Sequence, residues 1–507
     1  MLSRSRLRRK RVPLALALAL APSLAWPALA GAGAAKLPGR VTVVFAADLG
    51  GYLEPCGCSE DQRGGLPRAA AVLRRIRAEG HPVYFVGGGD LLFEERSTDA
   101  SREQDLLKAR AVAGALRLMG LDATVAGERD LFAGEAFARK AGLPLVRGRR
   151  LGPLGFGVLG QVPPAPVRLA VVHEAGTRGA LARADEAKAA GVTVLLSSHR
   201  DSMLADDVNR AVLDGPVPAV QVQGRGQSLA RIDFWLRGDL ARPFTVLPGA
   251  AQRDEEVDLS LHRRLEYLRR RDGALAGGQA ELAQALDRKI SELEARVAEL
   301  RERPLPEPPA DRPSLQIAFI ALTKDLPEDR AVRELVVRHY AEVAKRNLRR
   351  ARAERRPCPE AAPEAPRFIG LDAPPPGGAT ACVSCHPAAV EQWRTTSHAR
   401  AYRTLAKAGR QHDLDCIACH VTGWKQPGGP CDVAGDAGRR DVQCEACHGP
   451  ASRHALDPPG HIERVPPEER CRVCHTPEHS TRFEPASYRA RVIGVGHGAP
   501  APTPAEK

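Results

Sequence analysis

The chain has 507 residues, enough for two or three domains, and with 43% hydrophobic residues it can bury a sizeable core. Its formal charge of +13 invites a nucleic-acid partner. The distribution argues against one: six of the basic residues and no acidic ones lie in the first 30 positions, which leaves +7, and no basic strip interleaved with aromatics appears in a chain that is only 4% aromatic.

Residues 1–30 read as a signal peptide. Arg4, Arg6, Arg8, Arg9, Lys10 and Arg11 form a basic start, Val12 to Ala25 a short Leu/Ala run, and Ala28-Leu29-Ala30 a small-x-small cleavage site. No Cys follows it, so no lipid anchor is expected, and the predicted location is periplasmic or otherwise exported. The alternative is a retained N-terminal anchor, which the shortness of the apolar run disfavours.

From Val41 to about Gly249, short apolar runs alternate with helical periodicity. Val41–Ala47, Val83–Val86, Ala123–Ala126, Val167–Val172 and Val192–Leu196 are expected strands; Leu66–Glu79, Arg102–Met119 and Leu181–Ala190 are expected helices. The alternation predicts an α/β domain over 38–250 with largely parallel strands. In such sheets the crevice lies beyond the carboxyl ends of the strands. Asp48, Asp90 after Gly87-Gly88-Gly89, Glu128 with Asp130, and His199 fall there, a layout suited to a metal-dependent hydrolase.

The run Phe45-Ala46-Ala47-Asp48-Leu49-Gly50-Gly51-Tyr52-Leu53, then Gly64-Gly65-Leu66-Pro67-Arg68 and Gly89-Asp90, resembles the N-terminal domain of the 5′-nucleotidases, which are calcineurin-like metallophosphoesterases. The resemblance implies a two-metal centre, and the sequence departs from it. The family's Asp-x-His is Asp48-Leu49-Gly50 here, its Gly-Asn-His-Glu is Gly127-Glu128-Arg129-Asp130, and no His occupies Val220–Gly226, where Gly-His-x-His would fall. Asp48, Asp90 and His199 are the surviving candidate ligands for an additional metal ion, too few to clamp two ions about 4 Å apart. The expected domain is therefore a degenerate phosphoesterase fold without hydrolase activity. Cys56-Gly57-Cys58 follows the first strand. It is a pair of small loop thiols, one half of a disulfide, or a thiolate site facing the crevice, for a soft metal or a sulfur compound.

Leu261, Leu265 and Leu268, then Leu286, Ile290, Leu293, Val297 and Leu300 after a Gly277-Gly278 turn, predict a helical hairpin over 254–303. It packs on its own domain or serves as a dimerisation arm for a homo-oligomer. Residues 313–356 read as a strand followed by a basic helix with a solvated face, with His262 and His339 in surface or packing roles. Residues 357–378, with six prolines after Pro357, read as a linker.

The last quarter repeats one pattern four times. Cys382-Val383-Ser384-Cys385-His386, Cys416-Ile417-Ala418-Cys419-His420, Cys444-Glu445-Ala446-Cys447-His448 and Cys471-Arg472-Val473-Cys474-His475 are C-x-x-C-H sites. Two thiols three positions apart can each form a thioether with one porphyrin, and the following histidine supplies the proximal nitrogen to iron. C-x-x-C also serves zinc and dithiol sites, but four repeats within 94 residues, each ending in His, favour four covalent haem c groups. Their propionates offset most of the remaining positive charge. Residues 379–500 are then a mainly α multihaem domain with little regular sheet, its core made largely of haem. His398, His412, His454, His461, His479 and His497 are spare histidines there. Cys358 and Cys431 are expected to be disulfide-bonded or free thiols.

Glu391-Gln392-Trp393-Arg394-Thr395-Thr396-Ser397-His398-Ala399 after the first motif, His420-Val421-Thr422-Gly423-Trp424, and Val442-Gln443 through Gly449-Pro450 with His454 behind them resemble the tetrahaem cytochrome c-554 family. The resemblance implies His398, His454 and His497 as distal ligands, and a second haem, on Cys416, Cys419 and His420, without a protein sixth ligand. His412, His461 and His479 remain alternatives for that position. The readings that follow are an exported multihaem electron carrier with redox partner proteins and an inactive phosphoesterase-like domain for docking or sensing, an oxidoreductase acting on a small nitrogen or sulfur compound at an open haem or at the Cys56/Cys58 crevice, and a hydrolase joined to a redox domain.

Overall fold

The computed structural model describes residues 37–55, 62–94, 101–199, 209–354, 359–360, 362–371, 381–434, 437–458, 460–476, 479–480, 482–494 and 497. The expectations at 1–30, Cys56, Cys58 and Cys358 lie outside the described residues, as does the side chain of His199.

The α/β part runs β1 (Arg40–Ala46), α1 (Leu66–Arg77), β2 (Val83–Gly87), α2 (Arg102–Leu118), β3 (Ala123–Thr124), α3 (Glu135–Ala141), β4 (Gly148–Leu151), β5 (Leu154–Val158), β6 (Val167–Ala175), α4 (Gly176–Ala182), α5 (Ala184–Ala189), β7 (Val194–His199), β8 (Arg210–Val212), β9 (Ala219–Gln221), β10 (Ser228–Trp235) and β11 (Thr245–Leu247). Then come α6 (Ala250–Ala276), α7 (Ala280–Glu302), β12 (Ser314–Ala321) and α8 (Arg330–Glu354). The C-terminal part holds α9 (Ala381–Cys385), α10 (Pro387–Thr395), α11 (Ala401–Lys407), α12 (Leu414–Ile417), α13 (Cys444–His448), α14 (Glu468–Arg472) and α15 (Pro485–Ala490), with no named strand among the described residues.

Two six-stranded sheets, β11-β12-β10-β1-β2-β3 and β4-β5-β6-β7-β9-β8, face one another. Period-2 side-chain alternation builds the layers. Val41, Val43 and Phe45 of β1 point into the inter-sheet core with Phe156, Leu169, Val171, Val194 and Phe234. Val44 and Ala46 point the other way, into a core shared with α1, α2 and α8. Helices α4 and α5 cover the second sheet. The result is an α/β sandwich of four layers, in keeping with the expected α/β domain.

The sheets are mixed rather than largely parallel. β10 pairs antiparallel with both β1 and β12, so it lies inside its sheet with a partner on either side. The α/β domain also does not end at residue 250. β12 pairs antiparallel with β10 over eight residues and parallel with β11, and it directs Leu315, Ile317 and Phe319 into the inter-sheet core. A parallel neighbour requires a long crossover, and the α6–α7 hairpin supplies it. Its seam residues Leu286, Ile290, Val297 and Leu300 are buried, with Arg264–Glu294 at 2.6 Å and Arg296–Glu256 at 2.6 Å bridging the two helices. The expected helix at 181–190 is two short ones that meet at Arg183.

The basic helix α8 is not simply a solvated rod. Val332, Val336, His339, Val343, Asn347 and Ala351 form one buried stripe at three- and four-residue spacing. Nor is the Pro-rich stretch a free linker throughout: Phe368 and Leu371 are buried, and the backbone of 369–371 is bonded to the third C-x-x-C-H segment. Residues from Pro38 onward form one unit.

Candidate haem centres and the N-terminal crevice

Asp48 and Asp90 follow β1 and β2 and both take left-handed backbone angles, φ 50° and 54°, a costly conformation that tends to mark functional sites. Gly127, on the loop after β3, lets that loop reach Asp90, since a Cβ there would lie 2.1 Å from Asp90 Oδ1. Arg129 comes from the same loop. Its guanidinium pairs with Asp48 Oδ1 and, at 3.2 Å, with Asp90 Oδ2, while its backbone N–H donates to Asp90 Oδ1 at 2.9 Å. The two carboxylates are 3% and 0% exposed. A guanidinium thus lies between them. Burial lowers its pKa, but the two carboxylates together outweigh that and hold it above its ordinary range.

Asp130, expected at the crevice, faces inward instead. It accepts from the Leu91, Leu92 and Gly127 N–H groups at 2.8, 2.9 and 3.0 Å, and burial raises it to about 6. His199 ends β7. The sequence reading missed His173 on β6, whose Nδ1 lies 2.8 Å from Ser198 Oγ and whose ring borders Gly89. Among the described residues, no group of three His, Cys, Asp or Glu is arranged to hold a metal ion. This donor set, with Arg129 inside it, does not fit the two-metal centre that the 5′-nucleotidase resemblance implies.

The four C-x-x-C-H segments each begin on a short helix or turn, which puts thiols at i and i+3 on one face. Their eight thiols form no disulfide, whereas Cys431 is disulfide-bonded. Cys382 reaches Cys444, and Cys471 adjoins Cys447, so the first, third and fourth motifs lie close together.

The histidines pair across the chain. The ring of His386 faces His454 at 6.1 Å and 19°, His448 faces His497 at 6.4 Å and 20°, and His475 faces His398 at 6.2 Å and 53°. An iron held about 2 Å from each of two opposed imidazole nitrogens sets the ring centroids about 6 Å apart. Hydrogen bonds also select the ring nitrogen that remains. Nδ1 of His420 bonds the Ala401 carbonyl at 2.7 Å, that of His448 the Glu463 carbonyl at 2.7 Å, and that of His454 the Gly460 carbonyl at 3.0 Å. A carbonyl only accepts, so Nδ1 carries the proton and Nε2 keeps its lone pair for a metal. His412 follows the same rule through Val433 at 3.1 Å. Burial pushes His475 down to about 4 and lowers His398, His420 and His497, which keeps these rings in the neutral, ligating form.

A cavity of about 1170 Å³ beside the fourth motif is lined by Val465, Pro466, Ala486 and Ile493, with Arg472 and Arg489 among its walls. Glu468 and Glu484 also line it, so its walls are apolar with two carboxylates beside the two guanidinium groups. The donor set and the ring spacing fit haem c.

Residues 381–449 match the family of cytochrome c554 and c-prime. That span takes in the first three motifs and His398. The chain is 31% identical over 134 residues to cytochrome c-554 of Nitrosomonas europaea, a match covering 19% of this chain and 56% of that protein, so it spans little more than half of the relative's length. Among solved structures, the reduced state of cytochrome c554 from Nitrosomonas europaea overlaps 25% of this chain and 79% of its own, at 24% identity and a TM-score of 0.17. A 5′-nucleotidase precursor from Thermus thermophilus overlaps 60% of this chain and 59% of its own, at 12% identity and a TM-score of 0.36. The C-terminal segment is thus similar to cytochrome c554, and 5′-nucleotidases are among the structures similar to the chain.

Proposed function

We propose that the protein is an exported multihaem c-type cytochrome that relays electrons between redox partner proteins through four covalent haems. The observation that carries this reading is the set of three histidine pairs, 386/454, 448/497 and 475/398, with ring centroids 6.1–6.4 Å apart. Haem supplies reversible one-electron chemistry when bound. The chain's own residues do the rest. Cys382, Cys385, Cys416, Cys419, Cys444, Cys447, Cys471 and Cys474 would tether the groups; His386, His420, His448 and His475 would each supply an iron ligand, and His398, His454 and His497 would supply a second one to three of them. Carbonyl bonds to Nδ1 fix ring orientation. Two-histidine coordination suits electron transfer, because it closes the iron to exogenous ligands.

In this reading the α/β domain carries no hydrolase activity, since Arg129 supplies the positive charge between Asp48 and Asp90 that a metal would bring. The deciding experiment is a reductive titration of the purified chain. Four electrons and four haems per chain are expected, with no phosphoesterase turnover in manganese. Fewer haems, or metal-dependent hydrolysis, overturns the proposal.

A further inference from the structure

Two helices of the α/β domain grip the helix that carries Cys416. From α2, Gln104 Nε2 donates to Asp413 Oδ1 at 2.7 Å, and its Oε1 accepts from Leu414 N–H at 3.1 Å and from Asn347 of α8 at 2.8 Å. Asn347 also donates to the His412 carbonyl at 2.8 Å. Asp413 is the N-cap of α12, accepting from Asp415 N–H at 3.0 Å. One turn further along α2, Lys108 Nζ donates to Asp415 Oδ2 at 2.8 Å, next in sequence to the thioether cysteine. Ala351 of α8 packs with Ile417, Val421 and Val433. Tyr340, under the Arg410 guanidinium at 4.2 Å, is pushed well above its ordinary range by burial and by Asp413, Cys416 and Asp415. Arg410 also pairs with Glu54.

We propose that the α/β domain is the built-in electrostatic partner of the second haem, with Gln104 fixing the helix that bears it and the Lys108–Asp415 pair setting its reduction potential. This rests on Cys416, Cys419 and His420 holding a haem. Reduction adds one negative charge to the haem, so a nearby cation favours the reduced form and a nearby anion opposes it. Lys108 is 19% and Asp415 42% exposed, so water moderates both effects. Each is expected to change the reduction equilibrium about three- to tenfold, or about 30–60 mV for one electron.

The test is a spectroelectrochemical titration of the full-length protein. Lys108→Gln is expected to lower one of the four midpoints and Asp415→Asn to raise the same one, while Lys108→Arg leaves it in place. A loosened contact moves both variants in the same direction, so the opposite signs report charge rather than structural damage. Midpoints unchanged in both variants at four haems per chain, shifts of like sign, or equal shifts of all four overturn the inference. A wild-type content below four haems overturns the haem reading instead, and the two failures are told apart by the pyridine haemochrome assay.

Discussion

Arg129→Ala tests whether the N-terminal crevice has replaced a metal ion with a side chain. The substitution leaves Asp48 and Asp90 buried, close together and without the guanidinium between them. Removing one partner of a buried ion pair costs about 3–5 kcal/mol, because the remaining charge stays desolvated. At about 2–4 °C per kcal/mol for a domain of this size, the α/β transition should fall by roughly 6–20 °C. Differential scanning calorimetry of the full chain reads this, with Arg330→Ala, 92% exposed, as a control expected to move little. A divalent cation should then take the place of the guanidinium. Manganese at about a hundredfold excess over its Kd restores about 2.7 kcal/mol to the variant and nothing to the wild type. A variant that melts with the wild type, or a wild type stabilised by manganese as much as the variant, refutes the replacement.

Three further outcomes follow from buried groups elsewhere. His339 on α8 is held down to about 4 by burial and Lys108. The unfolded chain takes up a proton below about 6.5 and the native ring does not, so stability present above about 6.5 is lost as pH falls toward about 4, by roughly 3 kcal/mol. His339→Gln should flatten the urea midpoint across that window, and an unchanged slope contradicts the assignment. Glu445, inside the third motif and 2% exposed, accepts from the Ile369, Gly370 and Ala451 N–H groups at 2.9, 2.6 and 2.8 Å. Glu445→Ala should cost about 3 kcal/mol or more and expose 362–371 to protease, whereas wild-type resistance there would contradict it. Ile417→Ala should cost about 2–5 kcal/mol in the contact with α8, read as a lower melting temperature; a change below about 1 kcal/mol would place Ile417 outside a packed core.

The haem motifs were legible because thioether chemistry fixes their spacing within five residues, and the sandwich because apolar periodicity is local. What failed was what depends on return of the chain. β12 reads as an isolated strand until its antiparallel register with β10 is seen. The α8 stripe looked like a charged helix because its buried positions include His339 and Asn347, and the partners of Asn347 lie on α2 and in the haem segment. Arg129 showed in sequence only as a lost histidine; its role needs the approach of two other loops. Glu445 occupies a variable position of its motif, so nothing local marks it as the anchor of residues 369–370. His398, His454 and His497 were singled out by resemblance, but which motif histidine each ring approaches required the fold.

Carbon monoxide binding to the reduced full-length protein tests the histidine pairs most directly, because the ligand takes only an open or weakly held position on ferrous haem. At most one haem in four is expected to respond, and His454→Ala is expected to add one more by opening the iron on His386. A response from two or more haems in the wild type, or an unchanged response in His454→Ala, would contradict the pairing.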